Sequence, residues 1–182
     1  MILRGQGCAV RPWRVGDADA IVRHANNMNV AKQLRDRFPH PYTHANAVAF
    51  LKSACATRSP SNFAILVDGQ PAGGIGFVAG TDVERYSAEV GYWLGESCWG
   101  RGVTTEALTL LSTYAFTDLN LLRLFALPFA DNTGSIRVLE KAGYQLEGIL
   151  RSSSVKFGRP RDQALYAAVN PRWDAARPPL SR

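Results

Sequence analysis

The sequence predicts a mixed α/β fold in one domain, because strand-like and helix-like segments alternate along its 182 residues. A chain of this length buries roughly 70% of its unfolded surface, enough for one hydrophobic core. Two local patterns support the prediction. Asp68-Gly69 lies between two apolar runs, as in a β-hairpin, and a glycine-bracketed turn at 99–102 joins a strand-like run to a helix-like run.

Each element follows from periodicity and from turn residues. The predicted strands cover residues 8–13, 63–67, 72–78, 88–94 and 122–127, with a last pair around the Gly158-Arg159-Pro160 turn. The predicted helices run from Gly16-Asp17 to about residue 27, over about 45–56, from 103 toward Asn120, and over about 133–142. Asn120 is placed where a left-handed residue would end the third helix. The single domain is expected to span 1–182, with a loose tail at 171–182.

Composition excludes several classes of protein. The chain is 46% hydrophobic and 20% charged, and no apolar run reaches the roughly 18 residues of a membrane helix. Its first residues lack the apolar stretch of a signal peptide, and its three cysteines fit neither a disulfide framework nor a metal site. We therefore expect a cytoplasmic protein that binds no membrane.

The net charge of +6 could indicate nucleic-acid binding. Much of the excess lies in the last third of the chain, with no basic helix and no recognition motif. A polyanionic ligand or ordinary surface charge explains it as well, so no nucleic-acid partner is expected.

The turn at Trp99–Gly102 is the chain's candidate phosphate-binding site. Gly100 and Gly102 let successive N–H groups converge on an anion at the positive end of a helix, and Arg101 adds a cation. The helix has an apolar face made of Val103, Ala107, Leu110, Leu111 and Tyr114. No P-loop string occurs, and a dinucleotide fingerprint would need a small residue where Thr105 stands.

The strand, the WGRG turn and the helix, followed by a further strand and by DNTGSIRVLEKAGYQLEG, resemble the GNAT superfamily of acetyl-CoA-dependent N-acetyltransferases, in particular its RimJ/RimL-type branch. The segments CAVRPWRVGDADAI, RFPHPYTHANAVAFL and GRPRDQALYAAV resemble the same branch. The family's phosphate loop maps onto residues 99–104. Trp99 replaces the leading Gln or Arg, and Thr104 replaces the final small residue.

The resemblance implies a strongly twisted sheet of about seven strands with about four helices, and a V-shaped splay between the strands at 88–94 and 122–127. It implies acetyl-CoA as acetyl donor and no metal. The implied cofactor-binding residues are Trp93, Leu94, Arg101, Gly102, Val103, Thr104, Thr105, Asn132 and Ser135.

The resemblance also implies candidates for the chemistry. A serine matching Ser135 protonates the leaving thiolate in the RimL-like branch, whereas the tyrosine that many relatives use is Leu139 here. Ser135 could equally satisfy N–H groups at the start of its helix. Glu89 is the candidate base, acting through water. In the family, the segment holding Phe38, His40 and Tyr42 overlies the acceptor.

The expected function is acetyl transfer to a primary amine in a ternary complex, with a protein or peptide N-terminal α-amine as acceptor. At pH 7 an α-amine of pKa near 8 is about 10% neutral, whereas a lysine is only about 0.04% neutral, so an α-amine suits a weakly equipped site. The alternatives are a small-molecule acetyltransferase for a polyamine, amino acid or antibiotic, and a CoA-binding module without turnover. A monomer and a homodimer both remain open.

Overall fold

The computed structural model describes residues 1–56 and 61–178, which form eight strands and five helices. In chain order these are β1 (Leu3–Arg4), β2 (Ala9–Pro12), α1 (Ala18–Ala25), α2 (Met28–Ala31), α3 (His44–Ala56), β3 (Asn62–Val67), β4 (Gln70–Ala79), β5 (Ser87–Leu94), α4 (Val103–Thr117), β6 (Arg123–Ala126), α5 (Thr133–Lys141), β7 (Gln145–Lys156) and β8 (Arg159–Val169). The mixed α/β fold is confirmed, with one strand and one helix more than expected.

The strand order is β1-β2-β3-β4-β5-β6-β8-β7. β5 and β6 pair in parallel, and their register joins Ser87–Glu89 of β5 to Arg123–Phe125 of β6. Beyond Glu89, β5 continues to Leu94. The parallel pairing therefore stops five residues before β5 does, in agreement with the expected splay between these two strands.

The additional elements are short, which explains why periodicity missed them. β1 has only two residues and pairs with β2 through Leu3↔Val10 and Arg4↔Ala9. The first predicted helix ends at Ala25 as α1, and the extended backbone of Asn27 (φ −145°) separates it from the additional α2. The Asn27 side chain accepts a hydrogen bond from Asn29 N (2.8 Å) and starts the four-residue α2.

The β3–β4 hairpin turns at Asp68 and Gly69, whose φ angles are 50° and 78°. Two positive φ angles match the twist of the flanking strands, so Gln70 and Pro71 join β4 rather than the turn.

The chain divides into two compact units. The first contains residues 1–76 and 92–107. Its core packs α1 and α3 around buried Trp13, Ile21, Tyr42 and Leu51. A buried ion pair joins Arg11 to Asp17 (2.7 Å), and Asp17 also accepts from Arg14 N (2.8 Å). These bonds satisfy the Asp17 carboxylate at the start of the first helical segment.

The second unit contains residues 77–91 and the described residues from 108 onward. Asn120 follows α4 with φ 51°, the expected left-handed conformation. Its side-chain amide donates to Asp174 O (2.9 Å), and the Arg177 guanidinium donates to Thr117 O and Asp118 O (3.0 Å each). The tail is thus bonded to the end of α4 as far as Arg177, and residues 179–182 lie outside the described residues.

Candidate functional site

The glycine turn (Trp99–Gly102) links β5 to α4 within the first unit. Gly100 and Gly102 have φ angles of 74° and 77°, and a Cβ on either would meet no atom within 4 Å. Backbone conformation, not crowding, therefore calls for glycine here. Glu106 N donates to Gly102 O (3.1 Å), which begins the hydrogen-bond ladder of α4. The exposed turn presents the positive end of this helix to solvent.

Arg101 is the cation of this turn. Its guanidinium lies 3.8 Å from the Asp68 carboxylate at the tip of the β3–β4 hairpin, and the two side chains are 51% and 87% exposed. An ion pair this exposed contributes little to stability. The guanidinium can therefore exchange the Asp68 carboxylate for a phosphate at little cost.

Glu106 is the one acidic side chain in the first turn of α4. Its carboxylate accepts from Gln6 N (2.6 Å) and Gly7 N (2.9 Å). Burial opposes ionisation, but these N–H groups hold the pKa of Glu106 below its usual value. A Cβ on Gly5 would overlap the same carboxyl group. The negative charge is thus held by N–H groups of the N-terminal segment instead of competing with an anion for the N–H groups at the start of α4.

Cys8 lies beside the start of α4, where its Sγ is 3.7 Å from Val103 O. Burial, reinforced by Glu106, raises the pKa of this thiol to about 12. A thiol that stays protonated is a poor nucleophile.

Near the end of β5, Phe38 contacts two other predicted residues, Tyr42 and Trp93. The Phe38 ring is centred 4.9 Å from the Tyr42 ring and 5.5 Å from the Trp93 ring. Tyr42 is buried, and His40 between these residues is exposed. We call residues 38–42 the aromatic segment. It packs on Trp93 near the end of β5.

Leu94 and Trp99 are joined by a hydrogen bond between the end of β5 and the glycine turn. Leu94 is buried, and its carbonyl accepts a hydrogen bond from Trp99 Nε1 (2.8 Å). Gly95 N donates to Ala72 O (2.8 Å). The Trp99 indole therefore spans from the glycine turn back to the end of β5. Val103 is buried, and Thr104 and Thr105 are half-buried in the first turn of α4.

The second unit holds the other candidates. Asn132 is the N-cap of α5, and its Oδ1 accepts from Ser135 N (3.2 Å). Ser135 is half-buried in the first turn of α5. The capping bond thus joins the backbone N–H of Ser135 to the side chain of Asn132. Glu89, opposite Phe125 in the parallel register, is also half-buried.

Side chains of β8 anchor the segment between β6 and α5. The sequence did not indicate these contacts. Arg161 forms an ion pair with Asp131, and its guanidinium carbon lies 3.9 Å from the centre of the Phe129 ring. Gln163 Nε2 donates to Leu127 O (3.0 Å), and the Tyr166 hydroxyl bonds Glu140 (3.0 Å). Both ends of the segment that contains Asn132 and Ser135 are therefore anchored.

Within residues 1–56 and 61–178, no three His, Cys, Asp or Glu side chains are grouped so that they could hold a metal ion. No helix among these described residues has the length and apolar character needed to cross a bilayer.

Together, the fold and the glycine turn define an α/β protein with an exposed turn of two positive-φ glycines before α4. A family model for the acetyltransferase (GNAT) domain matches residues 9–145. The chain belongs to the GNAT family of acetyltransferases, and it is an acyltransferase by class.

Relatives and solved structures agree with this assignment. Over 166 residues the chain is 30% identical to p20 of Bacillus licheniformis, named an uncharacterized N-acetyltransferase, covering 88% of this chain and 91% of p20. The structure of RimJ from Mycobacterium smegmatis, in complex with CoA-disulfide, matches with a TM-score of 0.78 at 27% identity, covering 93% of this chain and 86% of RimJ.

Two shorter matches bear names that state a substrate. Spermidine N(1)-acetyltransferase of Escherichia coli is 32% identical over 51% of this chain and 50% of its own length. The ribosomal-protein-serine acetyltransferase of the same organism is 34% identical over 46% of each. The chain spans about half the length of several curated relatives that it matches.

Proposed function

We propose that this protein uses acetyl-CoA to acetylate the N-terminal α-amine of a protein or peptide. The observation that carries the proposal is the glycine turn: two left-handed glycines and Arg101 present the start of a 15-residue helix to solvent. An exposed helix start of this kind suits the diphosphate of CoA. The CoA-disulfide complex named for RimJ supports the same cofactor.

The aromatic segment and the residues leading into it favour a peptide over a polyamine. Residues 32–37 hold three cations, Lys32, Arg35 and Arg37, and one acid, Asp36. A polyamine carries several positive charges, and a site for it would need carboxylates to offset them. A basic surface beside half-buried Phe38 and Trp93 suits the backbone and side chains of a peptide whose single amine reacts.

The proposed roles assign one task to each group. Bound acetyl-CoA supplies a thioester carbonyl that the amine nitrogen attacks, so a C–N bond forms and the C–S bond breaks. The Ser135 hydroxyl donates its proton to the departing sulfur, and the second proton that the nitrogen loses as the amide forms restores this hydroxyl. Glu89, through water, accepts the proton that the ammonium group must lose before attack. Trp93 and Leu94 line the acetyl-bearing arm, and Thr104, Thr105 and Asn132 bind further polar groups of the cofactor.

Direct transfer in a ternary complex is favoured over a covalent acyl-enzyme. Cys8, the cysteine beside the start of α4, has a pKa raised to about 12 by burial and by Glu106. Transfer through its sulfur would require a thiolate that hardly forms at neutral pH. The three free thiols also suit a reducing cytoplasm, where we propose that the protein works.

The experiment is CoA release by the purified protein with acetyl-CoA and three matched acceptors: peptides with free N-termini, the same peptides with blocked N-termini and one lysine, and spermidine. We expect turnover on free N-termini alone. Turnover on spermidine alone would move the function to a polyamine acetyltransferase, which the spermidine N(1)-acetyltransferase relative makes the second candidate. Tight acetyl-CoA binding without turnover on any amine would indicate a CoA-binding module.

A further inference from the structure

Three asparagines, Asn26, Asn27 and Asn29, lie at the junction of α1 and α2, and the proposed chemistry uses none of them. The Asn27 side-chain amide donates to Glu96 Oε2 (2.7 Å), and the Asn29 amide donates to Glu96 Oε1 (3.0 Å). Glu96 comes two residues after β5 and three residues before Trp99. One carboxylate thus ties the helical junction to the connection between β5 and the glycine turn.

The third asparagine extends this link to the aromatic segment. Asn26 Oδ1 accepts a hydrogen bond from Tyr42 N (3.0 Å). Glu96 in turn accepts, through its backbone carbonyl, from Trp99 N (3.1 Å). A continuous set of hydrogen bonds and adjacent residues therefore runs from the aromatic segment to the glycine turn.

The orientation of these side chains is set by further bonds. Asn27 Oδ1 accepts from Asn29 N (2.8 Å) as the N-cap of α2, so the Asn27 amide nitrogen must point to Glu96. Lys32 Nζ donates to Asn29 Oδ1 (2.8 Å), which orients the second amide in the same way. Two fixed donors face two carboxylate oxygens, a pairing that a glutamine at position 96 could not reproduce.

We propose that Asn26, Asn27, Asn29 and Glu96, here called the asparagine bridge, are positioning residues that hold the aromatic segment at the end of β5 for the acceptor. The proposal rests on the proposed function. Glu96 is exposed, so the bridge contributes little to global stability, since exposed polar contacts are screened by water. Its effect should fall on acceptor binding.

The test compares wild type with Glu96→Gln and Asn27→Ser, and uses Glu84→Gln as a control that removes one exposed surface charge elsewhere. Serine is as good an N-cap as asparagine but has no amide to donate, so Asn27→Ser separates capping from bridging. The measurements are acceptor KM and kcat with a free-N-terminus peptide, acetyl-CoA Kd by calorimetry, and hydrogen exchange at residues 38–43.

Both bridge variants should raise acceptor KM about five- to tenfold, with acetyl-CoA Kd within about twofold and faster exchange at the Tyr42 amide. Glu84→Gln should match wild type. Unchanged KM and unchanged exchange in both variants would overturn the proposal, as would equal losses of acetyl-CoA affinity and melting temperature, which indicate a merely structural role. If wild type acetylates no peptide, the proposed function fails, while the exchange measurement still tests the bridge.

Discussion

α4 and α5 begin in opposite ways. The residue before α4 is Gly102, which has no side chain to offer, whereas α5 begins at Asn132, whose Oδ1 accepts from Ser135 N (3.2 Å). The first N–H groups of any helix have no partner within it. At α5 the Asn132 side chain satisfies part of that need, whereas at α4 the preceding Gly102 has no side chain that could do so. A preceding glycine leaves room for an external anion, which we propose for α4, whereas the Asn132 side chain already accepts from an N–H group at the start of α5.

The largest effect is expected from a negative charge placed at the start of α4. Gly102→Asp should weaken acetyl-CoA binding by about three orders of magnitude, because a carboxylate about 4 Å from a phosphate costs roughly 4 kcal/mol at an effective dielectric constant near 20. Calorimetric titration with acetyl-CoA measures the loss.

Gly102→Asn is the matched control, because asparagine has the same size as aspartate, tolerates the φ of 77° and carries no charge. It should bind acetyl-CoA far better than Gly102→Asp. Equal affinity of the two variants, or wild-type affinity of Gly102→Asp, would contradict the assignment of the phosphate to this turn.

At α5 we expect the Ser135 hydroxyl to affect turnover, and we expect the Asn132 cap to survive its removal. Ser135→Ala should lower kcat by about 100-fold if the hydroxyl protonates the leaving sulfur, because general-acid catalysis contributes about that much or more. Acetyl-CoA affinity should change little, since the Ser135 backbone N–H still reaches Asn132. Steady-state kinetics gives both numbers, and a normal kcat would leave Ser135 without a catalytic part.

The cap itself can be separated from the chemistry. Asn132→Ala should lower the free energy of unfolding by about 1 kcal/mol, because it leaves helix-start N–H groups without an acceptor. Asn132→Asp should retain that stability, since a carboxylate also caps and interacts well with the positive end of a helix. Urea unfolding of the pair checks this, and equal losses in both variants would mean that the side chain acts other than as a cap.

The smallest expected effect concerns the acid in the first turn of α4. Burial opposes ionisation of the Glu106 carboxyl group, but hydrogen bonds from Gln6 N and Gly7 N lower its pKa. Its stabilising contribution is therefore fully present above the unfolded pKa, near 4.3, and is lost as pH falls through the lower folded value. Asp17, whose pKa is lowered by Arg11 against the effect of burial, contributes in the same range.

Unfolding by urea between pH 3 and pH 7 measures this contribution. Glu106→Gln should be slightly less stable than wild type at pH 7 and should show a shallower loss below pH 4. The difference between the two proteins should shrink as pH falls toward 3, because protonation of the carboxyl group removes the charge. A constant difference across the whole range would mean that the Glu106 charge has no part in holding residues 6 and 7.

Much of the fold was predictable because it depends on local conformation. Asp68-Gly69 specified a tight hairpin through two positive φ angles, and Asn120 adopts the left-handed conformation expected at the end of α4. β1 and α2 escaped prediction because two and four residues are too few to show a period. The residues of the glycine turn and of α5 were also identified from sequence, although their roles stay predictions.

The partners of those residues could not be predicted. Glu96 bonds Asn27 across 69 positions of sequence, Gln6 bonds Glu106 across 100, and Arg161 reaches Asp131 across 30. Each of these side chains would also be an ordinary surface residue in its own segment, so nothing local distinguishes it.

By itself, the sequence determined where the backbone must turn and which helix follows a glycine that has no side chain for capping, because glycine, asparagine and aspartate act on their own φ angles. Only the tertiary structure decided which distant side chains hold the aromatic segment, the start of α4 and the approach to α5. Those contacts form when the strands bring remote segments together, and the energy of each one depends on a geometry that no short stretch of sequence contains.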